Sequence, residues 1–272
     1  MPLDLQTLLA KAESAARLAG KEALAQMGST QTSIKNKDEL VTEADKRCQQ
    51  IIVETLSKAF PQHGFVGEEG DGGRLFKQPP SGMEDLWWII DPIDGTNNYA
   101  VGIPQFSVSI GALFEGKPVI GVIYDPSTRD LFAGTGAGDS QANGRRCQVR
   151  DQGLDRFANL ALDSHFGPTL PAWLPDVIVR SRFRNVGSTA LHLAYVAKGG
   201  YCGMIGSTPK LWDLAAGALL AENAGAIVTD WHNQPLWPLD VGAYEGTPLP
   251  CVMATPRVHR ELMDLMSSLD QA

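Results

Sequence analysis

Residues 87–99, WWIIDPIDGTNNY, join four large apolar residues directly to two aspartates, a proline, a glycine and a threonine. The run from Trp87 to Ile90 is typical of a strand that is buried on both faces. We therefore predict that this strand ends at Ile90 and that Asp91 stands where the chain reaches the surface. The aspartates could be turn residues alone, because aspartate hydrogen-bonds its own backbone and glycine accepts a positive φ. The rest of the chain must decide between a turn and a functional site.

The composition excludes several classes of protein. The chain has 272 residues, of which 43% are hydrophobic and 20% charged, as in globular proteins. No apolar run approaches the roughly 18 residues of a membrane span, and the N-terminus lacks the pattern of a signal peptide. We therefore expect a cytoplasmic protein without a membrane partner. The formal net charge of −8 argues against nucleic acid as the main partner, so cations would have to mediate binding of an anionic ligand.

Cysteine spacing gives no metal or disulfide motif. Four cysteines lie far apart, without a C-x-x-C pair: Cys48, Cys147, Cys202 and Cys251. We expect them to be buried thiols.

The hydrophobic periodicity predicts a mixture of helices and strands. Apolar residues at helical spacing predict a first helix up to about Met27, and a second helix begins at VTEAD, with Thr42 as N-cap and Asp45 at the third position. Strands are predicted at FVG, LWWII, FSVSIGALF, PVIGVIYD and DLFAGT, and later at 158–162, 177–179 and 201–205. Further helices are predicted over 188–197, 211–224 and 257–269. The segment FEGKPVIGVIYDPSTRDLFAG (114–134) should form an antiparallel meander, because its turns are short.

This pattern predicts an α+β protein with helices layered against two sheets. We divide it into an N-terminal half, 1–145, and a C-terminal half, 146–272, within one compact structural unit. The first half should carry most of the candidate metal ligands, and the second half should carry Asp213 and the segments that contact substrate.

Acidic residues stand at four boundaries between predicted elements: Asp45, Glu68 with Glu69, Asp91 with Asp94, and Asp213. Each has a purely structural interpretation. Asp45 can complete a capping box with Thr42, and the glutamate pair can be a solvated turn. Asp213 can be a first-turn aspartate that is stabilised by the dipole of its helix. Taken together they predict a site for hard divalent ions, since Mg²⁺ prefers oxygen ligands and is often coordinated by both protein carboxylates and substrate phosphate. Two such ions can hold both the attacking and the leaving oxygen of a phosphoryl transfer.

The segment GTNNY supplies a candidate phosphate site beside these acids. If Thr96 begins a short helix, the backbone N–H groups of Gly95 and Thr96 point outward and can bind an anion. Glycine at position 95 would let the phosphate come close.

Six segments in this order make the chain resemble the inositol monophosphatase family of Mg²⁺-dependent, lithium-sensitive phosphatases. They are KNKDELVTEAD (35–45), GFVGEEG (64–70), the segment 87–113 that begins WWIIDPIDGTNNY, 121–146 with GVIYDPSTRD and NGRR, NVGSTALHLAYVAKG (185–199) and LWDLAAGALLAENAGAIVTD (211–230). The resemblance implies the layered αβαβα sandwich of the inositol monophosphatase and fructose-1,6-bisphosphatase type. It also implies a homodimer and two or three Mg²⁺ ions in each site.

The resemblance also implies a role for each motif residue. Metal binding falls to Glu68, Asp91, the Ile93 carbonyl, Asp94 and Asp213. The residues that position or polarise the attacking water are Glu69, Thr96 and Asp45, and the implied reaction is direct in-line attack by metal-activated water. Phosphate is held by the backbone of Gly95 and Thr96, and the organic part of the substrate contacts Gly187, Ser188 and Thr189. Lys35 lies on a loop that closes over the metals.

The chain departs from the family pattern where inositol hydroxyls are held. Seven residues before Asp213, inositol phosphate phosphatases usually place a glutamate, and this chain has Gly206. Lys210 has no obvious counterpart, and Ser164 and His165 are weak candidates for substrate contact. Inositol 1-phosphate is therefore only the leading member of a class of polyol and sugar phosphates. Histidinol phosphate, fructose 1,6-bisphosphate and adenosine 3′,5′-bisphosphate are alternatives on the same core.

Other interpretations of the motifs fit less well. A haloacid-dehalogenase nucleophile motif has one residue between its aspartates, whereas Pro92 and Ile93 separate Asp91 from Asp94. An EF-hand would need an acid at loop position 12, where Gly102 stands, and the glycines of 134–144 do not open a helix as a dinucleotide fingerprint requires. A non-catalytic relative that binds a metabolite or a protein should have lost a metal ligand or Thr96, and none is missing.

Overall fold

The computed structural model describes residues 3–28, 32–36, 39–167 and 169–269. The helices are α1 (Leu5–Gln26), α2 (Glu43–Ala59), α3 (Thr96–Ala100), α4 (Leu174–Arg180), α5 (Thr189–Ala197), α6 (Leu211–Asn223) and α7 (Pro256–Leu269). The strands are β1 (Thr32–Asn36), β2 (Glu39–Thr42), β3 (Gly64–Gly67), β4 (Phe76–Gln78), β5 (Leu86–Asp94), β6 (Ser107–Phe114), β7 (Lys117–Asp125), β8 (Asp130–Thr135), β9 (Gln141–Ala142), β10 (Arg145–Arg146), β11 (Asn159–Leu162), β12 (Arg182–Arg184), β13 (Gly203–Gly206), β14 (Ile227–Asp230) and β15 (Cys251–Ala254).

Two large sheets organise the described chain. The eight-stranded sheet has the order β10-β9-β8-β7-β6-β5-β3-β4, in which only β3 and β5 are parallel. Its strands β6, β7 and β8 form the predicted antiparallel meander. The five-stranded sheet has the order β12-β11-β13-β15-β14, and β11 runs parallel to both of its neighbours. The pair β1 and β2 forms a separate antiparallel hairpin.

The helices and sheets alternate in layers. One apolar core joins α1 and α2 to the first sheet, and two more cores surround α5 and α6 between the sheets. A further core joins α4 and α7 to the second sheet. This is the αβαβα order that the family resemblance implied, and it agrees with the helices layered against two sheets that the residue pattern predicted.

Helix α6 lies unusually close to the first sheet because two of the strands it crosses carry glycine. A Cβ added at Gly111 would lie 2.8 Å from the Cβ of Ala215, and one added at Gly121 would lie 2.6 Å from the carbonyl oxygen of Ala216. Distances this short leave no room for a side chain at position 111 or at position 121. The first turn of α6 is thereby held near the end of β5.

Two predictions about local structure were wrong. Strand β5 does not end at Ile90: it continues to Asp94, and Asp91 is only 2% exposed. The reason is that β6 continues to pair with it, through Asp91 and Ser109, before the register shifts. The predicted strand 177–179 lies in α4, whose second position is Pro175. A short β-branched run does not by itself distinguish a strand from a helix turn.

One further expectation, that of buried thiols, was confirmed. The four cysteines are buried and free. Within the described residues, no helix combines the length and apolarity that crossing a membrane requires. The division of the chain near residue 145 stays a prediction.

Candidate metal and phosphate site

Three aspartates from two elements meet between the sheets. Asp91 and Asp94 come from the end of β5, and Asp213 comes from the first turn of α6. One carboxylate oxygen of each lies within 4.8 Å of those of the other two. This donor set consists of hard oxygen atoms, which is the ligand chemistry that Mg²⁺ selects. The residues therefore fit the cation that the sequence predicted.

The environment of these acids disfavours their negative charge. Burial, followed by the charges of Glu68, Asp94 and Asp213, raises the pKa of Asp91 well above its usual range. Burial raises the pKa of Asp94 to about 6, and burial with the charge of Asp94 raises the pKa of Asp213 to about 7. A divalent cation would remove this cost, because it supplies the opposite charge.

Local backbone geometry fixes two of these carboxylates. Oδ1 of Asp91 accepts the N–H of Ile93 at 3.1 Å, so the proline turn folds back on the acid. Oδ2 of Asp213 accepts the N–H of Lys210 at 2.7 Å, which caps α6. The structural role expected for a first-turn aspartate is therefore present alongside its place in the cluster.

Asp94 connects the cluster to the segment predicted to contact substrate. Its Oδ2 accepts the Ser188 hydroxyl at 2.5 Å and the N–H of Ala190 at 2.6 Å, and its Oδ1 accepts the N–H of Thr189 at 3.2 Å. These donors form the N-terminus of α5. The structure thus brings 187–189 next to the acidic cluster.

Asp45 and Thr96 meet at the opposite side of the β5 turn. Oδ2 of Asp45 accepts the N–H and hydroxyl of Thr42 at 2.8 and 2.6 Å, which is the predicted cap of α2. The Thr96 hydroxyl lies 3.3 Å from Oδ1 of Asp45 and 3.0 Å from the carbonyl oxygen of Ile93. Burial is the main cause that raises the pKa of Asp45 to about 6. Asp45 therefore combines the capping role with a place in the site.

The remaining predicted residues surround the same centre. Glu68 is half-buried and its charge raises the pKa of Asp91, while Glu69 is buried and its charge raises the pKa of Asp45. Gly95 is the N-cap of α3 with φ 101°, and an added Cβ would lie 3.0 Å from the carbonyl oxygen of Gly187. The side chain of Lys35 lies outside the described part of the chain.

Sequence reasoning missed two amides that join the loops of the site. Nδ2 of Asn98 donates to the carbonyl oxygens of Gln105 and Val186, both at 2.7 Å, and so ties the β5 turn to the segment before α5. Gln49 binds the backbone of Glu69. The available signal was a polar residue on the apolar face of a predicted helix. Of the weak candidates, Ser164 accepts the Asn185 amide at 2.9 Å, and His165 is exposed.

Comparison with known proteins gives the chain a family. A model described as the inositol monophosphatase family matches residues 4–266. The protein named Nus factor SuhB from Vibrio cholerae is 36% identical over 226 residues, which are 80% of this chain and 82% of that protein. Among solved structures, the extragenic suppressor protein suhB from Bartonella henselae superposes with a TM-score of 0.84 at 29% identity, covering 96% of this chain and 98% of the other. An inositol monophosphatase from Anabaena superposes with a TM-score of 0.80 at 29% identity and covers 98% of both chains. The chain belongs to the inositol monophosphatase family.

Proposed function

We propose that this protein is a Mg²⁺-dependent phosphomonoesterase for a small metabolite phosphate. The observation that carries the proposal is the cluster of Asp91, Asp94 and Asp213, with carboxylate oxygens within 4.8 Å of one another. This cluster lies beside the left-handed Gly95, where backbone N–H groups can receive a phosphate. An acidic chain can then bind an anionic ester through its metal ions.

Each side chain has a proposed task. The groups that hold two or three Mg²⁺ ions are Glu68, Asp91, the Ile93 carbonyl, Asp94 and Asp213. Bound Mg²⁺ supplies positive charge that neutralises phosphate oxygens and lowers the pKa of water. Asp45 holds the Thr96 hydroxyl, so that the hydroxyl oxygen of Thr96 can orient the attacking water. Glu69 can accept a proton from this water. The backbone of Gly95 and Thr96 receives the phosphate, and 187–189 faces the organic group.

The proposed substrate class is a polyol or sugar phosphate. Inositol 1-phosphate leads it, ahead of histidinol phosphate, fructose 1,6-bisphosphate and adenosine 3′,5′-bisphosphate. Gly206 has no carboxylate that could bind substrate hydroxyls, and a side chain does not fit there, since an added Cβ would lie 2.8 Å from Cγ of Pro209. Hydroxyl recognition must therefore come from other residues.

Phosphate release from a panel of these four esters at fixed Mg²⁺ tests the proposal. We expect turnover of at least one ester, loss of turnover in EDTA, and loss in Asp91→Asn. Asp264→Asn, at an exposed position of α7, serves as the control and should keep full activity. Metal-independent hydrolysis, or hydrolysis unaffected by Asp91→Asn, would contradict the proposal.

A second candidate function is a role without catalysis, in which the protein binds a metabolite or another protein. The name of the Vibrio cholerae relative, Nus factor SuhB, favours it. The complete set of acids favours catalysis. If the wild-type protein binds Mg²⁺ but releases phosphate from no ester of the panel, the second candidate is preferred.

A second copy of this chain is the proposed protein partner. Strand β12 is an edge of its sheet, and three apolar side chains near it are strongly exposed: Phe157 at 60%, Val179 at 82% and Phe183 at 52%. Burying such side chains would favour association. We expect sedimentation velocity to give a dimer, and Phe183→Glu to shift it towards the monomer. A wild-type monomer at all concentrations would contradict this partner.

A further inference from the structure

Gln49 presents an amide to the backbone of one residue of the site. It lies on α2, one turn after Asp45, and is 6% exposed. Its Nε2 donates to the carbonyl oxygen of Glu69 at 2.5 Å, and its Oε1 accepts the N–H of Glu69 at 3.0 Å. Both backbone groups of Glu69 are therefore bound by one side chain.

Glu69 needs such a partner because it lies just beyond the sheet. Strand β3 ends at Gly67, and the N–H of Glu68 still bonds to the carbonyl oxygen of Ile90 at 3.2 Å. The next backbone bond of this kind, from Gly70 to Arg74 at 2.9 Å, belongs to the following turn. Gln49 thus binds the backbone of the residue that lies between the end of β3 and the following turn.

The neighbouring strand is shaped to admit this amide. A Cβ added at Gly67 would lie 2.4 Å from Oε1 of Gln49. Real side chains do not tolerate such a distance, so glycine at position 67 leaves the space in which the amide lies. The contact therefore depends on two positions that are separated along the chain.

We propose that Gln49 is a positioning residue, which fixes the carboxylate of Glu69 relative to Asp45 and Thr96. Residues four apart share one face of a helix, so α2 directs Asp45 to the Thr96 hydroxyl and Gln49 to the Glu69 backbone. One rigid element thereby sets the distance between two groups of the site. The inference rests on the proposed function, in which Glu69 handles a proton of the attacking water.

The test replaces the amide without shortening the side chain. Gln49→Met removes both hydrogen bonds. Gln50→Met is the matched control, because Gln50 is exposed and its side-chain hydrogen bonds stay within α2, to Glu54 and from Arg47. At saturating Mg²⁺ we expect kcat of Gln49→Met to fall about 10- to 100-fold with KM changed less than about twofold, since misplaced groups lower the rate of the chemical step. Gln50→Met should match the wild type.

A second readout does not depend on activity. In the metal-free protein, hydrogen exchange at the Glu69 amide should become about fivefold faster in Gln49→Met, because one hydrogen bond contributes about 1 kcal/mol. If the wild type hydrolyses no ester, the proposed function has failed. In that case, unchanged hydrogen exchange at the Glu69 amide in Gln49→Met would separately contradict the contact between Gln49 and Glu69. Unchanged kcat and exchange in an active enzyme would overturn the inference.

Two further variants separate positioning from folding. Gln49→Glu keeps an acceptor for the Glu69 N–H and regains a donor only when protonated, so its kcat relative to wild type should rise as the pH falls. With kcat expressed per folded molecule, from circular dichroism at each pH, a role in folding alone would not produce this profile, and a pH-independent ratio would overturn the inference. If Gln49→Met does not fold, Gly67→Ala, which displaces the amide, should show the same kcat loss.

Discussion

At the scale of single residues, the buried aspartates carry the proposed activity and also cost stability. Asp91→Asn keeps the size of the side chain but removes its charge, so it should lower Mg²⁺-dependent phosphate release by at least about 100-fold. The same substitution should raise the melting temperature of the metal-free protein, because it removes a buried charge that faces three other acids. Calorimetry in EDTA and a phosphate assay check both effects. Equal loss of activity and stability would indicate simple unfolding.

The raised pKa of Asp213, about 7, predicts a pH dependence of stability. Between its unfolded value, 3.8, and about 7, the folded metal-free protein holds a proton on Asp213 that the unfolded chain has lost. The free energy of unfolding therefore falls as the pH rises through this window. Thermal unfolding in EDTA at pH 5 and pH 8 should show a larger loss in wild type than in Asp213→Asn. The same loss in both proteins would contradict the prediction.

At the scale of elements, α5 and α6 approach each other closely where Gly217 faces Leu193. A Cβ added at Gly217 on α6 would lie 2.5 Å from Cβ of Leu193 on α5. We expect Gly217→Ala to lower the free energy of unfolding by about 1–3 kcal/mol, since an extra methyl group there forces the helices apart. Urea unfolding checks this value. Gly200→Ala, whose nearest atom would be 3.5 Å away, should change stability by less than about 0.5 kcal/mol.

Elements with local signals could be predicted from the sequence, whereas long-range ones could not. Thr42 and Asp45 indicate where α2 begins, because capping involves only nearby residues. The burial of Asp91 depends on its pairing with Ser109 of β6, and no nearby residue reveals this pairing. The family motifs indicated which acids should converge. The contact between Gln49 and Glu69 was not predicted, because it joins residues twenty positions apart.

At the scale of the whole molecule, metal binding should stabilise the fold. The chain has a net charge of −8, and its acidic cluster is assembled only in the folded state. A ligand present at about 100 times its dissociation constant adds about 2.7 kcal/mol to the free energy of unfolding. We expect Mg²⁺ at pH 8 to raise the melting temperature of wild type but not of Asp91→Asn. NaCl at equal ionic strength is the control, and an equal shift with NaCl would indicate screening alone.

The close packing of α6 against the first sheet restricts how homologous genes of this family can recombine. A crossover near codon 145 would place α6 of one parent against β6 and β7 of the other. Such a chimera could accept a helix with Ala215 and Ala216 only if the parent that supplies β6 and β7 has glycine at positions 111 and 121. These two glycines should therefore be inherited as a set with the helix that covers them.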